Sequence, residues 1–334
     1  MLRYLADIRT LAYLGLMLAV FGILWSFGFN ADGSPNLGLC VPLLTLLCLL
    51  AIANAVIAHN HNHAPLFHNK WANLVVGCVI SFFYGFPSFC WIPTHNQNHH
   101  VFNNRPGDYS ITTRPRRRVG LVGALLYPTV TSLTQARLIV PFLKRCRRHN
   151  RFLFRRALVE YVVFFGVMIV LLIIDWRKTL LFAVLPQQVA MFFIQHINYL
   201  QHIETDSGSQ FGHSRNFTGK FLNLFLFNNG YHTVHHVKPG LHWSLTSRVH
   251  DELAHNIPRR LLVENFVTFW FRRFVVDALL RRIPRYMTLP ATLSPDTLQV
   301  TEEGTATLER AYQLHGLAPG SVLDHRRSES RSKT

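Results

Sequence analysis

Ala55-Val56-Ile57-Ala58-His59-Asn60-His61-Asn62-His63 is a hydrophobic run that passes, without a break, into alternating histidine and asparagine. The apolar part reaches back to Leu39. It supplies the roughly 20 residues that a helix needs to cross a hydrocarbon core of about 30 Å. Asparagine and histidine cannot extend such a span into lipid, so the imidazoles belong at its polar end.

Three other runs have similar length: Leu11–Phe29, Ala157–Ile174 and Thr179–Leu200. Composition agrees with a polytopic membrane chain. Of the 334 residues 49% are hydrophobic and 15% charged, against about 25% charged in soluble proteins. Mean hydropathy is +0.16. A disordered chain, a collagen-like chain and a secreted disulfide scaffold are excluded. Leu11–Phe29 is long, lacks a small-residue exit and runs into a second span, so it reads as retained rather than cleaved. Asn30–Gly38 joins the first pair of spans. Asp175–Lys178 joins the second pair and has room only for a tight hairpin. Trp71–Ile92 is also apolar, but Gly77, Gly85 and Pro87 interrupt it. As a single crossing it would put His59–His63 and His95–His100 on opposite faces, so it is expected to be interfacial or re-entrant. The expected fold is all-α and integral to the membrane: four transmembrane helices with a cytoplasmic, histidine-rich helical cap. Residues 1–288 form the catalytic domain. Residues 289–334 form a polar C-terminal tail, partly disordered. Leu262–Leu280 is expected as a surface helix.

Charge sets the orientation. The chain has 34 Lys and Arg against 17 Asp and Glu, a net +17. All the basic residues except Arg177 and Lys178 fall at the termini or in the segments that carry histidine. By the excess of basic residues on cytoplasmic loops, both termini and the histidines face the cytoplasm, in a bacterial inner membrane. A basic balance also suits nucleic acid, but one-sided placement around four spans explains it better, and no nucleic-acid partner is expected. The five cysteines form no CxxC pair and read as reduced packing residues.

Histidine carries the chemistry. There are four clusters: His59-Asn-His61-Asn-His63, His95-Asn-Gln-Asn-His99-His100, Asn198-Tyr-Leu-Gln-His202 and His232-Thr-Val-His235-His236. A spacing of three or four residues puts side chains on one helical face, about 5–6 Å apart. His59/His63, His95/His99 and His232/His236 meet this test, and each pair shares one metal or holds two adjacent ones. His61 points off that face. The HH doublets let one helix serve two metals. Nine imidazoles (His59, His63, His95, His99, His100, His202, His232, His235 and His236) are too many for one tetrahedral zinc and suit two metals with four or five ligands each. Asn198 is a further donor, direct or through water. A lone HxxxH is weak evidence, being more often a satisfied surface histidine; four clusters at one face are not. For His68, His149, His196, His213, His250 and His255 a bland packing or surface role is expected. For His242 support of a ligand and simple packing are equally open. Gln187, Gln188 and Gln195 either line a substrate tunnel or bond between helices, and Glu160, near a span end, is expected to reach the interface.

At these residues the chain resembles the membrane fatty acid desaturase superfamily, which includes desaturases, hydroxylases, terminal-alkene-forming decarboxylases and alkane monooxygenases. The resemblance runs from about Leu39 to Ala254. Asn198 to His202 resembles the extra Asn/His position between the second and third boxes. The HxxxHH of the second box also resembles alkane monooxygenases. Asn228-Asn-Gly-Tyr-His232 through Trp243 looks most like bacterial desaturase-type enzymes.

The resemblance implies a mushroom-shaped fold and a non-haem centre of two ferrous ions held by the nine histidines, with O2 as co-substrate. It implies oxidation of an unactivated C–H bond in a fatty acyl chain (free acid, CoA, carrier-protein or lipid-linked). Desaturation is the favoured outcome; hydroxylation or decarboxylation are the alternatives. With no flavin, haem or ferredoxin motif in the chain, a separate electron donor such as ferredoxin or rubredoxin is expected. The basic stretches Arg114–Arg118 and Lys144–Arg156 either dock an acidic partner or anchor on anionic lipid. A metal transporter or sensor is the non-enzymatic alternative; it would spread its ligands through the bilayer depth.

Overall fold

A computed structural model describes residues 1–116 and 119–280. Arg117 and Arg118, and the whole expected tail 289–334, lie outside the described residues.

Helix α1 (Asp7–Phe27) and helix α2 (Leu37–His63) form an antiparallel pair. Arg3 N donates to Leu66 O at 2.8 Å, so the chain start sits beside the end of α2. Helix α2 is the centre of the bundle. Its second half is buried almost without interruption, and Ala51, Ala53, Ala55 and Ala58 let neighbouring backbones come close.

Helix α3 (Lys70–Tyr84) begins at Asn69, whose side chain accepts from Trp71 N and Ala72 N. It ends at Gly85, which is left-handed at φ +91°. A side chain would be strained there, and a Cβ would meet the Gln187 side chain at 2.7 Å. The chain then turns through 88° into Ser88–Phe102. Within that stretch Ile92–His99 is π-helical.

Helix α4 (Leu121–Gln135) and helix α5 (Ile139–His149) lead to helix α6 (Arg151–Thr179). Three helical stretches are long and apolar enough to cross a membrane, the third being Arg151–His202. That third stretch is not straight. Asp175 leaves the helical region (φ −157°, ψ 98°). Its carboxylate then accepts from Arg177 N and Lys178 N, capping the next turn. Gln187 Nε2 lies 3.6 Å from Met168 Sδ, whereas 19 residues of straight helix would span about 28 Å. The chain therefore doubles back, and helix α7 (Leu185–His202) runs against α6. Lys178 Nζ donates to Trp25 O at 2.7 Å, which places this turn beside the α1–α2 loop, at the end of the bundle away from the histidines.

Glu160 does not reach an interface as expected. It is fully buried in α6, paired with Arg156 one turn earlier at 2.8 Å. Its other oxygen accepts from Phe89 N at 2.9 Å and Ser88 Oγ at 3.0 Å. A carboxylate within an apolar bundle is stable only with such partners.

Beyond α7 the chain forms a cap over the histidine end. Asn216–Phe217 pairs in parallel with Leu262–Val263. That pairing takes the first residues of the expected Leu262–Leu280 helix, so helix starts only at Phe266 and continues to Leu279. Helix α8 (His232–Val237) carries the last histidine cluster.

Candidate metal centre

The end of α2 supplies His59 and His63, the π-helical turn and its last residue supply His95, His99 and His100, the end of α7 supplies His202, and α8 supplies His232, His235 and His236. These nine rings form two groups. His59, His63, His95, His100 and His235 make one; His99, His202, His232 and His236 make the other. Within each group one nitrogen per ring lies within 4.8 Å of all the rest. His61 is buried but belongs to neither.

The doublets divide as their geometry requires: His99 and His100 go to different groups, as do His235 and His236. The pair His95/His99 is split as well, and the reason is local. A π-helix has a wider turn than an α-helix, so residues five apart share a face. His95 therefore meets His100, with their Nε2 atoms 3.0 Å apart.

The nitrogens are placed for a cation rather than for each other. His235 Nε2 has three other Nε2 atoms beside it: His59 at 2.9 Å, His100 at 2.9 Å and His95 at 3.2 Å. A ring nitrogen has a single in-plane direction for bonding, so it cannot hydrogen-bond to all three. One metal ion among them accepts a lone pair from every ring. The second group repeats the pattern, with His202 Nε2 lying 2.9 Å from His232 and 3.1 Å from His99.

Groups behind the rings fix which nitrogen is free. His99 Nδ1 donates to Asp108 Oδ2 at 2.8 Å. Asp108 also accepts from Asn104 N and from the amide and hydroxyl of Ser110. Burial raises the Asp108 carboxyl; attraction to His99 and these donors outweigh it and leave it below its ordinary value. His202 Nδ1 donates to the His213 carbonyl at 3.2 Å. In both rings Nε2 is left as the bare donor, the arrangement by which outer hydrogen bonds orient metal ligands. His232, His235 and His236 are held well below 6.5, first by burial and then by neighbouring imidazoles. They stay neutral with lone pairs available.

Asp108 and the backbone role of His213 were not legible in the sequence. The one available signal was an acid following the Pro106-Gly107 turn inside an otherwise basic segment. The Arg156–Glu160 pair also reaches the site. Arg156 donates to Asn62 Oδ1 at 2.9 Å, and Asn62 bonds to the Ser88 carbonyl. The end of α2 is thereby tied to the segment that leads into the second box.

A cavity of about 300 Å³ opens beside the rings. His59, His95 and His232 form one wall, and Phe86, Trp91, Ile139, Met191 and Ile194 give it an apolar lining. Asn198 faces this cavity, its amide donating to Tyr127 Oη at 2.8 Å. Gln195 lines it too, whereas Gln187 bonds to the Phe82 carbonyl. His242 lies away from both groups, against Asp7 at 3.1 Å and stacked on Tyr4. His196 bridges Ala124 O and Trp270 Nε1, a packing role.

Apolar spans, two converging sets of imidazole donors and a greasy cavity beside them define a membrane protein with a histidine cluster able to bind metal. The family model for fatty acid desaturases matches residues 33–268, and the chain belongs to that family. Its fold and site are thus those of an oxidoreductase family that modifies fatty acids. No curated protein matches the sequence.

Proposed function

We propose that the chain is a membrane-bound, O2-dependent fatty acyl desaturase with two iron ions, one in each histidine group. The observation that carries this reading is the convergence of nine Nε2-type donors, as five and four, on the end of an apolar cavity. When bound, the two irons supply reduction of O2 and removal of hydrogen from an unactivated C–H bond. The protein's own residues do the rest. His59, His63, His95, His100 and His235 hold one ion; His99, His202, His232 and His236 hold the other. Asp108 and the His213 carbonyl keep His99 and His202 in the metal-binding tautomer. Asn198 Oδ1 is within the same wall and serves as a donor directly or through water. Phe86, Trp91, Ile139 and Ile194 exclude water and lay the chain along the His59–His95–His232 wall.

We further infer four crossings: α1, α2, and the two arms α6 and α7. The bent stretch Lys70–Phe102 is re-entrant. The histidine face is cytoplasmic, in a bacterial inner membrane. Electrons come from a separate carrier such as ferredoxin or rubredoxin, for which exposed Lys144, Arg147 and Arg148 on α5 offer a basic landing surface. The test is product identification with a deuterated fatty acid, aerobically, with a defined electron donor. Loss of two vicinal deuteriums with a new double bond supports the proposal. An alcohol or a terminal alkene would reassign the reaction, and no oxidised product with an iron-loaded sample would overturn it.

A further inference from the structure

The mouth of the cavity indicates what form the acyl substrate takes. Of the residues that line the cavity, Ser132, Leu133 and Ala136 are exposed, and all three lie at the end of α4 or just after it. The surface around them is apolar: Leu125, Leu126 and Val140 are exposed, and Leu133 is 70% exposed. In a membrane protein such a surface faces acyl chains, not water. Just inside this rim two amides meet across the opening. Gln195 Nε2 on α7 donates to Gln135 Oε1 on α4 at 3.1 Å, and both side chains line the cavity. Among the described residues, no Lys, Arg, Asp or Glu lines it. The one charge at the threshold, Arg137, is exposed and sits outside, next to Ala136.

We propose that this mouth is a lateral entrance from the bilayer, and that the Gln135–Gln195 pair is a subsite for the uncharged carbonyl of an ester-linked acyl chain in a membrane glycerophospholipid. The physical reasons are three. A free carboxylate drawn to the amide pair would lose its hydration with no cation to meet it, which is costly. A neutral ester carbonyl needs only a donor, and the Gln135 amide, whose oxygen is engaged by Gln195, presents its NH2 group. The lipid phosphate stays outside, within the field of Arg137, while the chain runs inward over Ile194 toward His59 and His232. Gln195 is seven residues before His202, about 10 Å along the helix axis, so the carbonyl is held well short of the metals and a mid-chain segment reaches them.

This inference rests on the acyl-oxidising reading above, but its test does not depend on turnover. The purified full chain is reconstituted in phosphatidylglycerol vesicles that contain a phospholipid with a photoreactive acyl chain. After illumination, labelled peptides are mapped. Parallel samples carry the same photoreactive chain as a free acid or as its CoA thioester. The expected result is labelling by the phospholipid within residues 132–139 and 191–195, reduced about fivefold in Gln135→Leu and Gln195→Leu, the loss of roughly one hydrogen bond. Iron content of each variant reports whether it has folded with its centre intact; Gln195→Asn serves if the leucine variant does not load iron. Labelling of the cavity by free acid or CoA thioester but not by phospholipid, or phospholipid labelling unchanged in iron-loaded variants, would overturn the proposal. Cavity labelling by phospholipid without any oxidised product would instead count against the desaturase reading and leave the entrance standing.

Discussion

His99 Nδ1 and Asp108 Oδ2 are 2.8 Å apart, both buried, and the carboxylate is itself held by Asn104 N and Ser110. The pair turns the His99 ring so that Nε2 faces His202. Asp108→Asn keeps the shape of the carboxylate but removes its charge. It is expected to weaken metal binding by about 10- to 100-fold, as loss of such outer partners does. Iron retained after dialysis against a graded chelator series measures this; wild-type retention in the variant would show that Asp108 has no part in holding the ring.

Removing a ring that has three nitrogen neighbours should be severe. His235→Ala and His99→Ala are expected to abolish turnover and lower iron per chain, with membrane insertion unchanged. His61→Ala should keep both, since His61 belongs to neither group. Metal analysis of detergent-purified protein separates the cases, and a His61 variant lacking iron would mean the first cluster has been assigned to the wrong rings.

Breaking the buried pair in α6 leaves a charge stranded in the bundle. Glu160→Ala is expected to cost about 3–5 kcal/mol, with Arg156 left uncompensated. The double change Arg156→Met, Glu160→Leu should recover much of this loss. Thermal unfolding in one detergent compares the three proteins. A single variant as stable as wild type would remove the pair's structural role.

Acid should destabilise the metal-free protein. His232, His235 and His236 titrate well below 6.5 when folded, because burial and then like-charged neighbours oppose protonation. In the unfolded chain the same rings take up protons near the ordinary value of about 6.5. Stability from these rings is therefore complete above about pH 6.5 and is lost as pH falls below it. Unfolding midpoints of chelator-treated protein at a series of pH values report the trend, and a midpoint flat across that range would contradict it.

The sequence made the ligands legible because a metal centre of imidazoles must spend many histidines at fixed spacing, and Leu39–Ala58 running into His59 tied them to a membrane boundary. What it concealed was the pitch of the second cluster. The spacing of His95, His99 and His100 fits an α-helix, and only the π-helical turn at Ile92–His99 shows that His95 meets His100. Asp108 was hidden for another reason: its partner is nine residues away through a turn at Gly107, where no helical period applies. Glu160 was misread because hydropathy counts a charge against a span without knowing whether Arg156 and Ser88 wait to receive it.

The division of both doublets between the two groups has a mechanical outcome. His99 with His100, and His235 with His236, are neighbours on one backbone, so each short helical segment grips both ions at once. The gap between the ions is then set by peptide geometry, like two beads threaded on the same pair of rods. One ion cannot be shifted, exchanged or lost without straining the seat of its neighbour, and the centre should load and empty as a unit.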